Sequence, residues 1–398
     1  MNNRRDFLKT CSLSAFPLLM PVSGLAATLG SELATPEEDA GQSRINFIYD
    51  DISLSFSPAD YIKKLEAINK ENSIQPDIYG NGGVTQRLEE EFAAITGKEK
   101  AIYLPTGTMA NQVALKLLSG DHTKVFVPEN SHTYRDEADA AQTVHSKRLI
   151  PVGKGKPYFT AEDLQKEITY LQEGEVFRSG MGAVAIENPV RRENNTFVPL
   201  EVIKEVAAYC QSNGLKLHLD GARLHIASAY AKVPVAEYCS YFDTVYISLY
   251  KYLNATGGAI LCGEAELIDQ VAHQIKIFGG TAFHSWPHTA MALHYLKGID
   301  ERWQKVVESG EELIRALNGI EGVTISRIPN GTNAHRMALD DSIDLKKMAT
   351  YLDTAHQINI GKADSEGIVG FTINESIHFR SMGELVRAFK DGVRAARV

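Results

Sequence analysis

Five short apolar runs constrain the fold of this 398-residue chain more than any other feature of its sequence. They cover residues 124–128, 182–186, 215–219, 244–249 and 259–262, and each ends near a turn-forming or polar residue. Continuous apolar runs are typical of strands that are covered on both faces. Before the third run, apolar residues from Val202 to Cys210 recur at helical spacing, and Asn213 and Gly214 supply a stop signal. This βαβ rhythm predicts a mostly parallel sheet with helices on both faces.

A carboxylate and a lysine follow two neighbouring runs of this predicted sheet. Asp220 ends the stretch Leu217-His218-Leu219-Asp220, and Lys251 ends the stretch Ser248-Leu249-Tyr250-Lys251. The chain between them leaves room for one helix. A buried lysine can form a Schiff base with an aldehyde, and a carboxylate can keep a pyridine nitrogen protonated. The pair therefore indicates pyridoxal phosphate (PLP) chemistry.

The phosphate of such a cofactor needs hydrogen-bond donors, and residues 104–111 offer them at the start of a predicted helix. Backbone N–H groups at a helix N-terminus bind anions. Gly107 lets the backbone approach a ligand closely, and the hydroxyls of Thr106 and Thr108 can donate hydrogen bonds. Taken alone, the segment is equally typical of an ordinary helix N-terminus. Its position upstream of the carboxylate and the lysine favours a phosphate site.

Several separated motifs resemble those of the threonine aldolase and β-eliminating lyase family. They are Asp77-Ile78-Tyr79-Gly80, residues 88–99, residues 104–111 and Asp220-Gly221-Ala222-Arg223, in the order in which the family has them. The resemblance runs from about Phe47 to the C-terminus. It implies the PLP-dependent aminotransferase-like fold (fold type I), which is an α/β fold with a smaller α+β C-terminal domain.

The resemblance also implies a role for each polar residue around the cofactor. Lys251 would be the Schiff-base lysine, Asp220 the partner of the pyridine nitrogen, and His132 the imidazole stacked on the ring. Arg223 would lie beside the cofactor and the substrate carboxylate, and Glu187 at a strand end that faces the ring. Lys251, His132 and Asp220 are the implied catalytic residues. The implied cofactor-binding residues are Thr106, Gly107, Thr108, His132, Glu187, Asp220, Arg223, Ser248 and Lys251.

The segment after the lysine departs from the Ser-Lys-Gly-Leu-Gly pattern of the family, because it reads Tyr250-Lys251-Tyr252-Leu253-Asn254. Asn254 is expected to adopt the left-handed conformation that glycine would allow. Neighbouring residues of an extended segment face opposite ways. We therefore expect one of the two tyrosines to pack in the core rather than narrow the pocket.

Further departures fall where the family holds its substrate. Asp50 stands at a serine position, Gly370 and Phe283 stand at two arginine positions, and Val190 stands at a histidine position. A buried α-carboxylate without charged partners would cost several kcal/mol of desolvation. The sequence therefore predicts a substrate pocket that differs from that of a standard threonine aldolase.

We hypothesise that other arginines bind the carboxylate, because arginine binds carboxylates in bidentate fashion. The candidate substrate residues are Asp50, Tyr79, Arg191, Arg192, Arg223 and Arg336. For Arg191 and Arg192 a solvated loop is equally consistent with the sequence. If the substrate lacks a free α-carboxylate, Asp50 would instead meet a cationic group.

The reaction that the resemblance favours is retro-aldol cleavage of a β-hydroxy-α-amino acid to glycine and an aldehyde. His132 is the candidate base near the β-hydroxyl, directly or through water. β-Elimination, racemisation and transamination would use the same cofactor residues, with Lys251 moving the proton. From a different class, the chain would be a non-catalytic PLP-binding module on this scaffold.

The N-terminal residues 1–27 resemble a twin-arginine export signal, because Arg4 and Arg5 precede an apolar stretch and then small residues. We expect cleavage near Ala26 or Ala27 and a periplasmic mature protein. A disordered terminus with a chance arginine pair is the alternative. Residues 28–43 are then a predicted linker, 44–300 a large PLP-binding domain with an N-terminal segment, and 301–398 a small C-terminal domain.

Composition narrows the possible partners. The formal net charge is −9, and no basic cluster follows the signal, so nucleic acid is not an expected partner. No later stretch is long enough for stable membrane insertion. Cys210, Cys239 and Cys262 are predicted to be buried thiols, and no Cys/His spacing is typical of a zinc site. The resemblance implies a homodimer or homotetramer that acts on an amino acid or a related amine.

Overall fold

The described part of the chain, in a computed structural model, comprises residues 44–48, 54 and 56–398. The predicted export signal, the predicted linker and Asp50 lie outside these residues. The strands, in chain order, are Ile45–Asn46 (β1), Lys100–Leu104 (β2), Lys124–Pro128 (β3), Arg148–Val152 (β4), Met181–Glu187 (β5), Lys216–Asp220 (β6), Thr244–Ser248 (β7), Ala259–Gly263 (β8), Val323–Arg327 (β9), Ala334–Leu339 (β10), Ile358–Asn359 (β11) and Val369–Thr372 (β12).

Seven of these strands form the central sheet, in the order β2-β8-β7-β6-β5-β3-β4. Within it, β3, β4, β5, β6 and β7 pair in parallel, and β8 runs antiparallel to β7 and β2. All five apolar runs fall on strands of this sheet, so the prediction of a mostly parallel sheet is confirmed. The expectation of one helix between β6 and β7 is wrong, because the connection folds into two short helices.

Both faces of the sheet are buried, as the continuous apolar runs predicted. Along β5, Ala183 and Ala185 pack into one hydrophobic cluster, whereas Val184 and Ile186 pack into another on the opposite face. Successive side chains of a strand point to opposite faces. Along β5 the interior positions are therefore apolar, and the polar residue Glu187 appears only at the end of the strand.

The helices cover the sheet and extend into the C-terminal part. They are Pro58–Glu71 (α1), Gly83–Thr96 (α2), Gly107–Ser119 (α3), His132–Arg135 (α4), Ala140–His145 (α5), Ala161–Gly174 (α6), Leu200–Ser212 (α7), Leu224–Ala231 (α8), Val235–Cys239 (α9), Ala265–Ile277 (α10), Trp286–Leu296 (α11), Ile299–Leu317 (α12), Leu345–His356 (α13) and Met382–Ala396 (α14), with 3-10 turns at Arg191–Glu193 and Glu375–Phe379. A capping box begins α14, since the side chains of Ser381 and Glu384 each accept a hydrogen bond from the other residue's backbone N–H.

The C-terminal part contains a three-stranded antiparallel sheet in the order β12-β10-β9. Strand β1 pairs in parallel with β11, and the Phe47 ring stacks on that of Phe371 at 4.3 Å between centroids. The described chain therefore begins against its C-terminal part. All described residues fall within one compact unit, so the predicted domain boundaries stay predictions.

Two further predictions concern the cysteines and membrane insertion. Cys210, Cys239 and Cys262 are buried free thiols, as expected. Among the described residues, none of the helices combines the length and the apolar character needed to cross a bilayer.

Candidate active site

A cavity of about 360 Å³ opens where β5 and β6 end and α3 begins. Polar side chains meet here because parallel strands bring their carboxyl ends to one edge, which is the usual ligand position in such sheets. The predicted cofactor residues that line the cavity are Thr106, Gly107, Thr108, His132, Glu187, Asp220, Arg223 and Lys251. Their roles stay predictions, but the structure brings eight of the nine together.

Lys251 stands on the short connection between β7 and β8. The connection closes on itself, because the Leu249 N–H donates to the Gly258 carbonyl at 3.1 Å and the Ala255 N–H donates to the Leu249 carbonyl at 3.1 Å. Burial, together with the nearby Arg223 guanidinium, lowers the pKa of Lys251 to about 7. A large share of this amine is therefore neutral at neutral pH, which is the form that attacks a carbonyl carbon.

The two tyrosines beside Lys251 face different surroundings, as predicted. Tyr252 is fully buried and packs against Trp303. Tyr250 is 43% exposed and lines the cavity. Asn254 has a φ of 57°, so it adopts the left-handed conformation that was expected of it.

The N-terminus of α3 forms one wall of the cavity. The Thr106 hydroxyl caps the helix by accepting from the Met109 N–H at 3.2 Å, and its own hydrogen remains available to a ligand. Gly107 is packed against Tyr246, since a Cβ at this position would lie 2.0 Å from the Tyr246 hydroxyl oxygen. The close approach that glycine permits here is thus to a buried phenol inside the protein.

His132 begins α4, and a buried carboxylate holds its ring. The His132 Nδ1 lies 2.9 Å from Oε1 of Glu137, a residue that is 4% exposed. This hydrogen bond raises the pKa of His132, and burial raises the pKa of Glu137. The imidazole therefore has a fixed orientation at the cavity wall.

Asn111 connects this carboxylate to Asp220. Its Nδ2 donates to Glu137 Oε1 at 2.8 Å and to Asp220 Oδ2 at 2.9 Å, and its Oδ1 lies 3.0 Å from His218 Nε2. Asp220 also accepts from the Ala222 N–H at 3.2 Å. Asp220 is thereby held at the end of β6 as a hydrogen-bond acceptor.

Glu187, at the end of β5, fixes two loops from its buried position. Its carboxylate accepts from the His132 N–H at 2.7 Å and from the Arg191 N–H at 2.8 Å. Burial and the nearby Asp220 carboxylate raise the pKa of Glu187. Asn111, Glu137, Glu187 and Asp220 are at most 4% exposed, and we call these four residues the cavity floor.

Arg223 lines the cavity, and its buried Nε has no hydrogen-bond partner among the described residues. Ser248, at the end of β7, is fully buried next to Tyr246, and its side chain does not line the cavity. Ser248 is thus the one predicted cofactor residue that the structure leaves apart from the other eight.

An ion-paired cluster of Asp136, Arg191 and Arg192 adjoins the cavity, and the two arginines are not part of the cavity lining. Asp136 lines the cavity and accepts from Arg191 Nη2 at 3.1 Å and from Arg192 Nε at 2.9 Å. These hydrogen bonds lower the pKa of Asp136 to about 2. The side chains of the three residues are 18–44% exposed, and we call them the cavity mouth. The two predicted arginines therefore already share a carboxylate partner.

The structure does not bring the other predicted substrate residues to this cavity. Arg336 lies on β10, where it is exposed and pairs with Glu366 at 3.1 Å. Tyr79 lines a separate cavity of about 740 Å³. Within a single chain, Arg336 therefore does not line this cavity as we predicted, because β10 belongs to a different sheet. Asp50 lies outside the described residues.

Sequence reasoning missed Asn111, Glu137 and Asp136 as site residues. Asn111 lies one helical turn after Gly107, so helical spacing placed it on the face that meets the end of β6. Glu137 follows His132 by five residues across a short helix that the sequence analysis did not predict. Asp136 had no signal beyond its charge.

The family model described as Beta-eliminating lyase matches residues 65–342, which is more than half of the chain. A low-specificity L-threonine aldolase of Candida albicans is 32% identical over 219 residues, covering 54% of this chain and 58% of that protein. The alanine racemase TOXG of Cochliobolus carbonum is 30% identical over 222 residues, covering 55% of each chain. The chain thus spans less than two thirds of the length of these curated relatives.

The fold of the chain is similar to that of a solved structure. A protein of Listeria monocytogenes, provisionally assigned as an L-allo-threonine aldolase, superposes with a TM-score of 0.72 at 23% identity, covering 88% of this chain and 97% of that one. The predicted PLP-dependent aminotransferase-like fold (fold type I) is confirmed. Because the family model matches more than half of the chain, the chain belongs to the Beta-eliminating lyase family.

Proposed function

We propose that this chain is a PLP-dependent carbon–carbon lyase of threonine aldolase type. It would cleave a β-hydroxy-α-amino acid to glycine and an aldehyde. The observation that carries the proposal is that Lys251, Asp220, His132 and the start of α3 line one cavity. The name of the Candida albicans relative supports the same reaction class.

The residues present fit PLP in size, charge and hydrogen bonding. The first N–H groups of α3 and the hydroxyls of Thr106 and Thr108 suit a phosphate. The unpartnered Nε of Arg223 suits an anionic oxygen, and it is a buried donor that is costly to leave unsatisfied. When bound, PLP supplies an electron sink that stabilises negative charge on the carbon next to the amino group.

The protein's own groups account for the remaining steps of the proposed reaction. Lys251, with its lowered pKa, holds or gives up a proton near neutral pH. Cleavage also needs a base near the β-hydroxyl, and His132 is the one histidine of the described chain that lines the cavity. Arg223 is the arginine of the cavity wall, so we assign it to the substrate carboxylate.

The absorption spectrum of the purified protein with added PLP tests cofactor binding, and glycine release from L-threonine and L-allo-threonine tests the reaction. Lys251→Ala should remove both the visible absorption band and glycine release. Lys166→Ala, which changes an exposed helical lysine, should keep both. A chain without a visible band even at high PLP would refute the proposed function and favour a non-catalytic module.

Racemisation is a second candidate, favoured by one relative and one substitution. The Cochliobolus carbonum relative is named an alanine racemase, and Val190, at the family's second histidine position, is fully buried. Chiral chromatography of L-alanine and L-threonine after incubation would show inverted products if racemisation were the main activity. Pyruvate or oxoacid release in the same samples would indicate β-elimination or transamination instead.

We further propose that the protein forms a homodimer or homotetramer with its sites near subunit contacts. An exposed apolar patch supports this proposal. Ile78, Tyr79 and Phe283 are 57%, 53% and 55% exposed, and the Tyr79 and Phe283 rings lie 5.2 Å apart. Such patches are typical of protein interfaces.

Light scattering coupled to gel filtration tests the assembly. Phe283→Asp should shift the protein toward monomer, because a charge placed in an apolar interface is costly. Phe177→Asp is the matched control, since Phe177 is 95% exposed and lies outside the patch. A monomeric unmodified protein would rule out the assembly, and equal effects of both variants would rule out the patch.

We also propose that residues 1–27 are a twin-arginine export signal and that the mature protein is periplasmic. The sequence alone supports this, through Arg4, Arg5 and the apolar stretch that follows. Cell fractionation with N-terminal sequencing should give a periplasmic protein that begins near residue 28. Replacing Arg4 and Arg5 by lysine should leave the protein in the cytoplasm. A periplasmic protein with an intact Met1 would exclude cleavage.

A further inference from the structure

Glu137 is a buried carboxylate that the proposed reaction does not use. It is 4% exposed, and its Oε1 accepts hydrogen bonds from Asn111 Nδ2 at 2.8 Å and from His132 Nδ1 at 2.9 Å. Its Oε2 has no partner among the described residues. A carboxylate in such surroundings costs several kcal/mol of desolvation unless a nearby group compensates its charge. Its position beneath His132 therefore needs a reason.

The hydrogen bonds of Asn111 fix which groups donate and which accept. Glu137 and Asp220 present carboxylate oxygens to Asn111, and an ionised carboxylate only accepts. The amide nitrogen of Asn111 must therefore face both carboxylates, as it does, and the amide oxygen must face His218. This assignment follows from the network and does not depend on seeing the hydrogens.

The neighbouring histidine is consistent with this assignment. Burial lowers the pKa of His218 to about 4, so His218 is neutral at neutral pH. Its Nε2–H donates to Asn111 Oδ1, and its Nδ1 accepts from the Thr244 hydroxyl at 2.8 Å. Both ring nitrogens of His218 and both polar atoms of the Asn111 side chain then have a hydrogen-bond partner.

The same reasoning places a hydrogen on Nδ1 of His132, because Glu137 Oε1 accepts there. Nε2 of His132 is then the ring nitrogen that remains for contacts on the cavity side. Glu137 decides the tautomer of His132 in its neutral form and stabilises its protonated form.

We propose that Glu137 is a positioning residue for His132, and that Asn111 joins it to Asp220 in one hydrogen-bonded unit. This unit would hold both the imidazole beside the cofactor ring and the carboxylate at the ring nitrogen. The inference rests on the proposed function for its role in the reaction. Orienting His132 would account for the burial of the Glu137 carboxylate, which packing alone does not explain.

A metal ion is the competing occupant of this cluster. Ligand atoms of His132, Glu137 and Asp220 lie within 4.8 Å of one another, which is close enough to share a cation. However, the two N–H groups of Asn111 are directed at the same two carboxylates. A cation between these carboxylates would meet hydrogen-bond donors, so we assign the position to the amide.

Several charged groups face His132 and belong in any reading of its titration. Glu137 acts through a hydrogen bond, and Asp220 and Glu187 act at longer range in the same direction. Of the remaining residues that line the cavity, those that carry charge are Arg223, Lys251 and Asp136. A variant at Glu137 changes the group in direct contact and leaves the others in place.

The test is the titration of His132 by NMR in the full-length protein labelled in histidine, with and without PLP. The His132 signal is identified by its loss in His132→Asn. Glu137→Gln keeps the shape and an oxygen acceptor but removes the charge. We expect the His132 midpoint to fall by about one to three pH units. Glu129→Gln, which removes a charge near α4 that does not contact His132, should leave the midpoint unchanged.

Asn111→Ser separates the two halves of the inference. Without the amide donor, Glu137 has only His132 to stabilise its charge, so the His132 midpoint should rise. Opposite shifts in Glu137→Gln and Asn111→Ser are the signature of the unit. If Glu137→Gln does not fold, Glu137→Asp should give a smaller fall, because the charge moves away by one methylene.

The outcomes are distinct from those of the proposed function. An unchanged midpoint in Glu137→Gln would overturn the inference. A lower His132 midpoint in Asn111→Ser would overturn the role of Asn111. A His132 midpoint that changes when Zn²⁺ or EDTA is added would show that a metal ion, rather than the Asn111 amide, occupies the position between the carboxylates. Because the titration needs neither cofactor nor turnover, a chain that binds no PLP would refute the proposed function and leave this result readable.

Discussion

The cavity floor and the cavity mouth are built differently, although each contributes to the lining of the same cavity, through Glu187 and Asp220 from the floor and Asp136 from the mouth. Floor residues are at most 4% exposed, and each of their side chains is held by hydrogen bonds from named donors. Mouth residues are partly exposed and are held by an arginine–carboxylate cluster. The family resemblance is strong at the floor, whereas Val190 departs from the family at the end of β5, where the mouth begins.

This contrast explains why cofactor chemistry can be inferred more firmly than the substrate. Buried polar groups must be satisfied, so their arrangement leaves few choices of ligand. Exposed ion pairs are worth little and rearrange at low cost. A ligand at the mouth therefore meets groups that can change partners.

Asp220→Asn should have the largest effect, because it would remove the negative charge that the proposed function places beside the ring nitrogen of PLP. We expect glycine release to fall by about a hundredfold or more. Asp136→Asn, the matched change at the mouth, should cost less than about tenfold, since its charge is already neutralised by two arginines. Steady-state kinetics on both variants checks this. Equal losses would remove the distinction between floor and mouth.

Substitution of Arg223 in the cavity wall and of Arg192 at the mouth should affect the Michaelis constant (KM) to different extents. Arg223→Gln should raise KM by about ten- to a hundredfold if Arg223 binds the substrate carboxylate as proposed, because the variant would lose a buried charged hydrogen bond. Arg192→Gln should change KM by less than about threefold, as expected of an exposed pair. A larger change at Arg192 than at Arg223 would place the carboxylate site at the mouth.

Gly107→Ala tests how tightly the wall above the floor is packed. The added methyl would overlap the buried Tyr246 ring, at 2.0 Å from the hydroxyl oxygen and 2.5 Å from Cζ. We expect a loss of about 1–3 kcal/mol in the free energy of unfolding, measured by urea denaturation. Gly174→Ala, at a helical glycine with open space around it, is the control and should not destabilise. Equal stability of the two variants would mean that Tyr246 moves freely.

The stability of the chain should also depend on pH. The pKa of Lys251 is about 7 in the folded chain and near 10.5 when exposed, so the unfolded chain binds more protons between these values. Without PLP, stability should therefore rise as the pH increases from 7 toward 10, by up to about 1.4 kcal/mol per pH unit from this group.

Lys251→Met should remove this part of the slope, and Lys166→Met should keep it. Urea denaturation at pH 7, 8 and 9 measures both. If Lys251→Met shows the slope of the unmodified protein, the amine is not buried in the folded chain.

The sequence predicted the sheet because its strands are buried on both faces and leave continuous apolar runs. It predicted the floor only in part. Asp220 and Glu187 end apolar strands and were visible for that reason, whereas Glu137 sits after the four-residue helix α4, which has no periodic pattern. The family resemblance implied that Ser248 binds the cofactor, but its fully buried side chain does not line the cavity.

The mouth could not be predicted, because its geometry depends on contacts between distant segments. Arg191 and Arg192 appeared as free candidates for a carboxylate, and the structure pairs them with Asp136, some fifty-five positions earlier in the chain. Arg336 looked equivalent to them by charge alone, yet it lies in a different sheet. A residue's charge is visible in the sequence, whereas its partner is decided by the fold.

The closed connection that carries Lys251 has a consequence for how the chain tolerates change. Leu249 and Gly258 join its two ends, and the Gly258 N–H also donates to the Pro105 carbonyl just before α3. The position of the amine thus depends on the length of this connection more than on the identity of its inner residues. One inserted residue would displace the amine by about 3.3 Å, the rise of one extended residue. We therefore expect the fold to accept other side chains at Tyr250 and Tyr252 more readily than an added or removed position between Leu249 and Gly258.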